Sequence, residues 1–108
     1  YVTSPSFTLI SEYRPQDTGA RLALYHIDLY RLADAAREAV ALGVEEYLYG
    51  DGVCVVEWAE RAMDILPPEH LLVRFSLVAE TKRGVLMIPS GARYVDLLRE
   101  FKHRAFGV

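Results

Sequence analysis

Apolar and polar residues alternate through "SFTLISEY", Ser6 to Tyr13, and this period of two in a β-rich stretch predicts a strand. "RPQDTGA" follows with Pro15, Asp17 and Gly19, which is turn chemistry. "RLALYHIDLY", Arg21 to Tyr30, returns as a second strand, so the two form an antiparallel hairpin with a rather long loop. From Ala33 the period lengthens. "ADAAREAVALG" offers Asp34 as N-cap, an apolar stripe through Ala36, Ala39 and Val40, and Gly43 as a stop, which predicts a helix. "VEEYLYGDG" adds a helical turn closed by Gly50 and Gly52.

"VCVVEW", Val53 to Trp58, opens with four apolar residues without alternation, the pattern of a strand buried on both faces beneath helices. "AERAMDILPP" suits a short helix ending before Pro67. "HLLVRFSLVAE" and "RGVLMIP" predict a hairpin joined through "TKRG". In "SGARYVDLLREFKHRAF" the apolar positions Val95, Leu98, Phe101 and Ala105 predict a final amphipathic helix. The sum is a single α/β domain over residues 1–108 with a mixed sheet.

Composition narrows the chemistry little. A net charge of −3 provides no general pull toward nucleic acid. Cys54 is the single cysteine and cannot form an intrachain disulfide, so a reducing, cytoplasmic setting is expected. No apolar run approaches the roughly 20 residues of a membrane-spanning helix, and no membrane role is expected. His26, His70 and His103 lack zinc-ligand spacing, and without a G-x-S-x-G a serine hydrolase has no nucleophile elbow.

Two acids remain. Glu57 ends the apolar strand, and in α/β sheets ligands gather beyond the carboxyl ends of strands. An apolar run ending in an acid is the Walker B pattern, whose carboxylate holds Mg²⁺ or orients an attacking water. Magnesium takes only one or two protein carboxylates, so a lone acid suffices chemically. Strands ending in acids are common, and the bare match is weak. Asp28 shares a strand face with Leu22, Leu24 and His26, and would converge on Glu57 if the two strands were neighbours. The plain alternative pairs Asp28 with Arg31, or has it cap the chain leaving the strand. His26 reads as a half-buried strand histidine, not as a base. Trp58 reads as a core or rim aromatic, or as a ring stacked near a nucleotide. The hydroxyls of "TSPSFT" belong to a polar loop or to a phosphate-sensing segment. The basic residues of the last helix, interrupted by Asp96 and Glu100, read as a solvated face.

The order of these signals is more specific than any one of them. "SPSFTLISEY", "LYHIDLYRL", "ALGVEEYL" and "VCVVEWAER" together resemble the TsaE (YjeE) family from about Thr3 to Glu60, and the "LLVRFSL…RGVLMI" hairpin continues the match loosely. The resemblance implies an α/β, P-loop NTPase-like mixed sheet with flanking helices. It implies a bacterial ATPase that uses Mg²⁺ and ATP and acts with TsaB and TsaD to make threonylcarbamoyladenosine in tRNAs reading codons that begin with A. The carbamoyl transfer itself would belong to TsaD, and tRNA would be engaged indirectly. By position, Asp28 would lie near Mg²⁺ and the phosphates, and Glu57 would hold the metal or the attacking water. Trp58 would lie beside the nucleotide. Ser6 and Thr8 would belong to a switch-like loop, with Ser6 where a threonine is expected.

One departure is large. The phosphate-cradling G-x-x-x-x-G-K-[ST] is absent, for neither of the two lysines, Lys82 and Lys102, follows a glycine. The expectation is therefore a carboxyl-terminal portion of a longer ATPase, lacking the P-loop strand and helix and inactive alone. An apolar sheet face and an open edge would then favour self-association. Two other readings stay open: a non-catalytic interaction module, and a hydrolase with Asp28 and Glu57 as a carboxylate pair about 5–10 Å apart.

Overall fold

A computed structural model of the chain describes residues 2–3, 8–30 and 32–108. The chain forms two compact units, Tyr1–Leu66 and Pro67–Val108.

In the first unit a four-stranded sheet runs in the order β1 (Val2–Thr3), β2 (Thr8–Tyr13), β3 (Leu24–Asp28), β4 (Val53–Glu57). β1, β2 and β3 pair antiparallel, whereas β3 and β4 pair parallel, so the expected mixed sheet is present. Ser6 lies outside the described residues, and β2 begins at Thr8. The predicted turn after β2 contains a single helical turn, α1 (Pro15–Thr18), which Gly19 ends at a left-handed φ of 75°. α2 (Ala35–Ala41) starts as its sequence indicates. The Asp34 carboxylate accepts from the Arg37 amide, and Glu38 accepts from the Asp34 amide in return. Gly43, at φ 79°, turns the chain into α3 (Val44–Leu48).

The core lies on one face of this sheet. Ile10 and Ile27 come from β2 and β3, Leu29 and Leu32 from the chain after β3, and Ala35, Ala39, Val44 and Ala62 from the covering helices and a 3-10 segment, Ala59–Ile65. Cys54 and Val56 join it partly buried. This overturns one expectation. β4 is not buried on both faces: Val53 and Val55 are 47% and 48% exposed. The cause is topological, since β4 ends the four-strand order and the covering elements pack on the face of Ile27 and Val56. Gly52 sets the entry to β4. A β-carbon there would run into the Tyr25 ring and stand 2.9 Å from the Ala23 carbonyl.

The second unit is the predicted hairpin, β5 (His70–Ala79) with β6 (Lys82–Ser90), followed by α4 (Ala92–Phe106). The hairpin forms its own two-stranded sheet. Leu71, Met87, Leu97, Leu98 and Phe101 line an apolar hollow of about 290 Å³ between hairpin and helix, with no polar side chain among them. No helix among the described residues is long and apolar enough to cross a membrane.

Candidate active site

The parallel register answers whether the two acids meet. Leu24 lies opposite Val53, His26 opposite Val55, and Asp28 opposite Glu57. Parallel neighbours in register share a face, so both carboxylates leave the carboxyl ends of adjacent strands on the side away from the core. One more ladder bond, from the Leu29 amide to the Glu57 carbonyl at 3.2 Å, ties the chain together just past these residues. Leu29 and Leu32 explain why the segment after β3 holds its course. Both are buried, which turns Tyr30 outward at 52% exposure.

Asp28 does two things. One carboxylate oxygen, Oδ1, accepts from the Tyr30 amide at 2.9 Å and caps the chain as it leaves the strand. Among the described residues the other oxygen meets no donor. The capping alternative therefore holds without cost to convergence; Arg31 lies outside the described residues. Glu57 likewise has one oxygen engaged. Oε2 stands 2.9 Å from His26 Nε2, and Oε1 meets no donor among the described residues. His26 thus does more than fill a strand position. Alternation placed it on the face of Asp28; only the register shows that this face also carries Glu57.

Trp58 follows with φ 60° and ψ 38°, the sole non-glycine at positive φ among the described residues. Holding a bulky residue left-handed costs about 1–2 kcal/mol, and the surroundings must fix it there. They do so through Tyr30, whose ring centroid is 4.7 Å from that of Trp58 at a tilt of 41°. Arg61 clamps the same turn, donating to the carbonyls of Tyr30 at 2.9 Å and Leu32 at 3.2 Å, with its guanidinium 6.0 Å from the Tyr30 ring centre. The loops after β3 and β4 are thereby locked to each other. Tyr30 and Arg61 both fall in the stretches that carry the family resemblance, but their pairing spans 31 residues and only the fold shows it.

Each acid thus keeps one carboxylate oxygen that meets no donor among the described residues, next in sequence to the half-exposed Trp58 in the case of Glu57. No cluster of three His, Cys, Asp or Glu side chains suited to a metal occurs among the described residues. That excludes a pre-formed cage from these residues. It fits magnesium, which takes one or two carboxylates and completes its shell with water and substrate phosphates. Thr8 contributes its backbone to β2; its side chain and Ser6 lie outside what is described.

Comparison with known proteins covers the stretch of chain that holds these residues. The family model for "Threonylcarbamoyl adenosine biosynthesis protein TsaE" covers residues 1–85. A Bacillus subtilis protein named tRNA threonylcarbamoyladenosine biosynthesis protein TsaE is 38% identical over 99 residues, 92% of this chain and 58% of its own length. The Treponema pallidum protein of that name is 39% identical, covering 78% of this chain and 58% of its own. The crystal structure of Bacillus subtilis YdiB superposes with a TM-score of 0.74 at 34% identity, over 96% of this chain and 62% of that one. The chain spans roughly three fifths of the length of these relatives.

Proposed function

The chain belongs to the TsaE family, and on that premise we propose that it is the carboxyl-terminal portion of a Mg²⁺-dependent ATPase serving threonylcarbamoyladenosine formation in tRNA, with TsaB and TsaD as partners. The observation that carries this is the register of Asp28 against Glu57 at the ends of two parallel strands. Such strand ends form the crevice where α/β sheets bind ligands, and an acid closing the strand is what phosphoryl transfer asks of a sheet.

The residues divide the work. Asp28 and Glu57, each with one oxygen that meets no donor among the described residues, would hold a magnesium ion, which would neutralise charge on the triphosphate. Glu57 also serves to orient the attacking water. Trp58, held outward by Tyr30, offers its exposed indole to the nucleotide. Most of the phosphate charge has to be met by a glycine-rich loop and its lysine, and these 108 residues contain no such motif. The longer protein supplies it in this reading, and the chain alone does not turn over ATP.

The test is hydrolysis by the longer protein. Magnesium-dependent ATP hydrolysis is expected, with Trp58 fluorescence responding to ATP only when magnesium is present. Glu57→Gln should lower kcat by about 100-fold or more while the unfolding midpoint stays put. Full activity in Glu57→Gln, or turnover by the 108-residue chain alone, would overturn the assignment.

A further inference from the structure

We propose that His26 is a positioning residue that orients the Glu57 carboxylate toward the divalent cation. The proposal rests on the ATPase reading above and gives a defined task to a side chain which that reading leaves idle.

The geometry is specific. His26 stands opposite Val55 in the register, so its ring reaches diagonally along the shared face to the next outward residue of β4. Nε2 meets Oε2 of Glu57 at 2.9 Å. A glutamate has three rotatable bonds and on an exposed rim would sample many orientations, whereas a histidine rooted in a paired strand has two. With Oε2 held by the imidazole, and the backbone carbonyl of the same residue held by the Leu29 amide, Glu57 is fixed from both ends. Oε1 is the oxygen left to turn outward.

Stability is a poor explanation for the pair. The side chains are 38% and 54% exposed, and a contact so open to water contributes little to folding. Holding a metal-facing carboxylate by a hydrogen bond has a different effect: partners of this kind typically govern metal affinity or activity by about 10- to 100-fold. His26 matches that role in donor type, distance and rigidity.

The experiment uses the longer protein with Mn²⁺ as an oxygen-preferring probe in place of Mg²⁺. Mn²⁺ affinity in the presence of ADP is read by electron paramagnetic resonance, and kcat and KM for ATP are read separately. His26→Ala should weaken Mn²⁺ binding about 10-fold and lower kcat, with KM for ATP and the unfolding midpoint near the parent's. His26→Gln keeps an N–H donor on a flexible stem and should recover most of both losses. Parent-like Mn²⁺ affinity and kcat in His26→Ala overturn the role of His26 alone, as does a His26→Gln protein no better than His26→Ala. A parent that neither binds Mn²⁺ with ADP nor hydrolyses ATP overturns the ATPase reading, and the role of His26 with it.

Discussion

The two faces of the β3–β4 pair are built from neighbouring residues and do opposite jobs. Ile27, fully buried, looks into the core beside Val56; Asp28, one residue on, looks outward beside Glu57. Five residues per strand serve both because side chains alternate with a period of two. The inner face is apolar, close-packed and covered. On the outer face Leu24, Val53 and Val55 lead to His26, Asp28 and Glu57, and exposure there is high. A rigid inner face holds the outer acids in register without sharing their chemistry, so the faces should respond differently to substitution.

The largest difference is expected from Ile27→Ala. A fully buried residue cut to alanine leaves a cavity, and stability should fall by about 3 kcal/mol in urea unfolding. A loss under about 1 kcal/mol would mean that the inner face is not the well-packed side.

Next comes Tyr47→Phe, which probes the polar rim of the covered side. The Tyr47 hydroxyl donates to Glu12 Oε1 at 2.7 Å. Chiefly this bond, with burial and the Glu12 charge, raises the phenol above its ordinary 10.0. A raised value means that the stabilisation is complete below pH 10.0 and disappears as pH climbs through the folded-state value. Tyr47→Phe should cost about 1 kcal/mol at neutral pH, and the gap to the parent should close only in strongly alkaline solution. A gap that closes near neutrality would point to a different partner.

Smaller still is the effect of Val53→Thr with Val55→Thr. Both side chains are about half exposed, and threonine keeps the β-branch that strands favour, so stability should move by no more than about 0.5 kcal/mol. The informative readout is association. The 108-residue chain should elute from size exclusion at an apparent mass that rises with concentration, and the double threonine variant should shift back toward monomer. A parent chain that stays a compact monomer would show that the outer face needs no cover.

The least perturbing probe is Cys54, on the inner side of β4 with its thiol donating to the Tyr47 carbonyl. Burial raises its pKa. Alkylation by iodoacetamide at pH 8 should therefore be slow in the folded chain and speed up in denaturant. Equal rates in both states would place Cys54 on the open side.

Much of this was legible from the sequence, and the errors are instructive. Asp34 and Gly43 marked the ends of the first longer helix because capping is a local bargain between one side chain and the next turn. The closing hairpin and helix were readable from their periods. The error at "VCVV" has a clear origin: an unbroken apolar run does not state how many neighbours its strand has, and within Tyr1–Leu66 the core packs on the Cys54 and Val56 face of β4 while Val53 and Val55 stay half exposed. Glu57 stood out as the acid that ends its strand and Asp28 as an acid within one; that β3 stops at Asp28, and that the two acids converge, followed only when β3 and β4 proved adjacent and in register. His26 was passed over because the partner that gives it a task lies 31 residues away.

Local pattern alone determined the order of strands and helices along this chain, that Glu57 would close a strand, and which family it resembles, whereas β3 came out shorter than its pattern, ending at Asp28. Tertiary structure decided that β3 and β4 run parallel in a register matching 28 to 57, that His26 reaches the Glu57 carboxylate, and that Arg61 ties the chain after β4 to the loop after β3. Periodicity is set by bonds a few residues apart, and so it is written along the chain. Which edge pairs with which is set by the burial of one shared face against helices from elsewhere, and no short stretch of sequence carries that information.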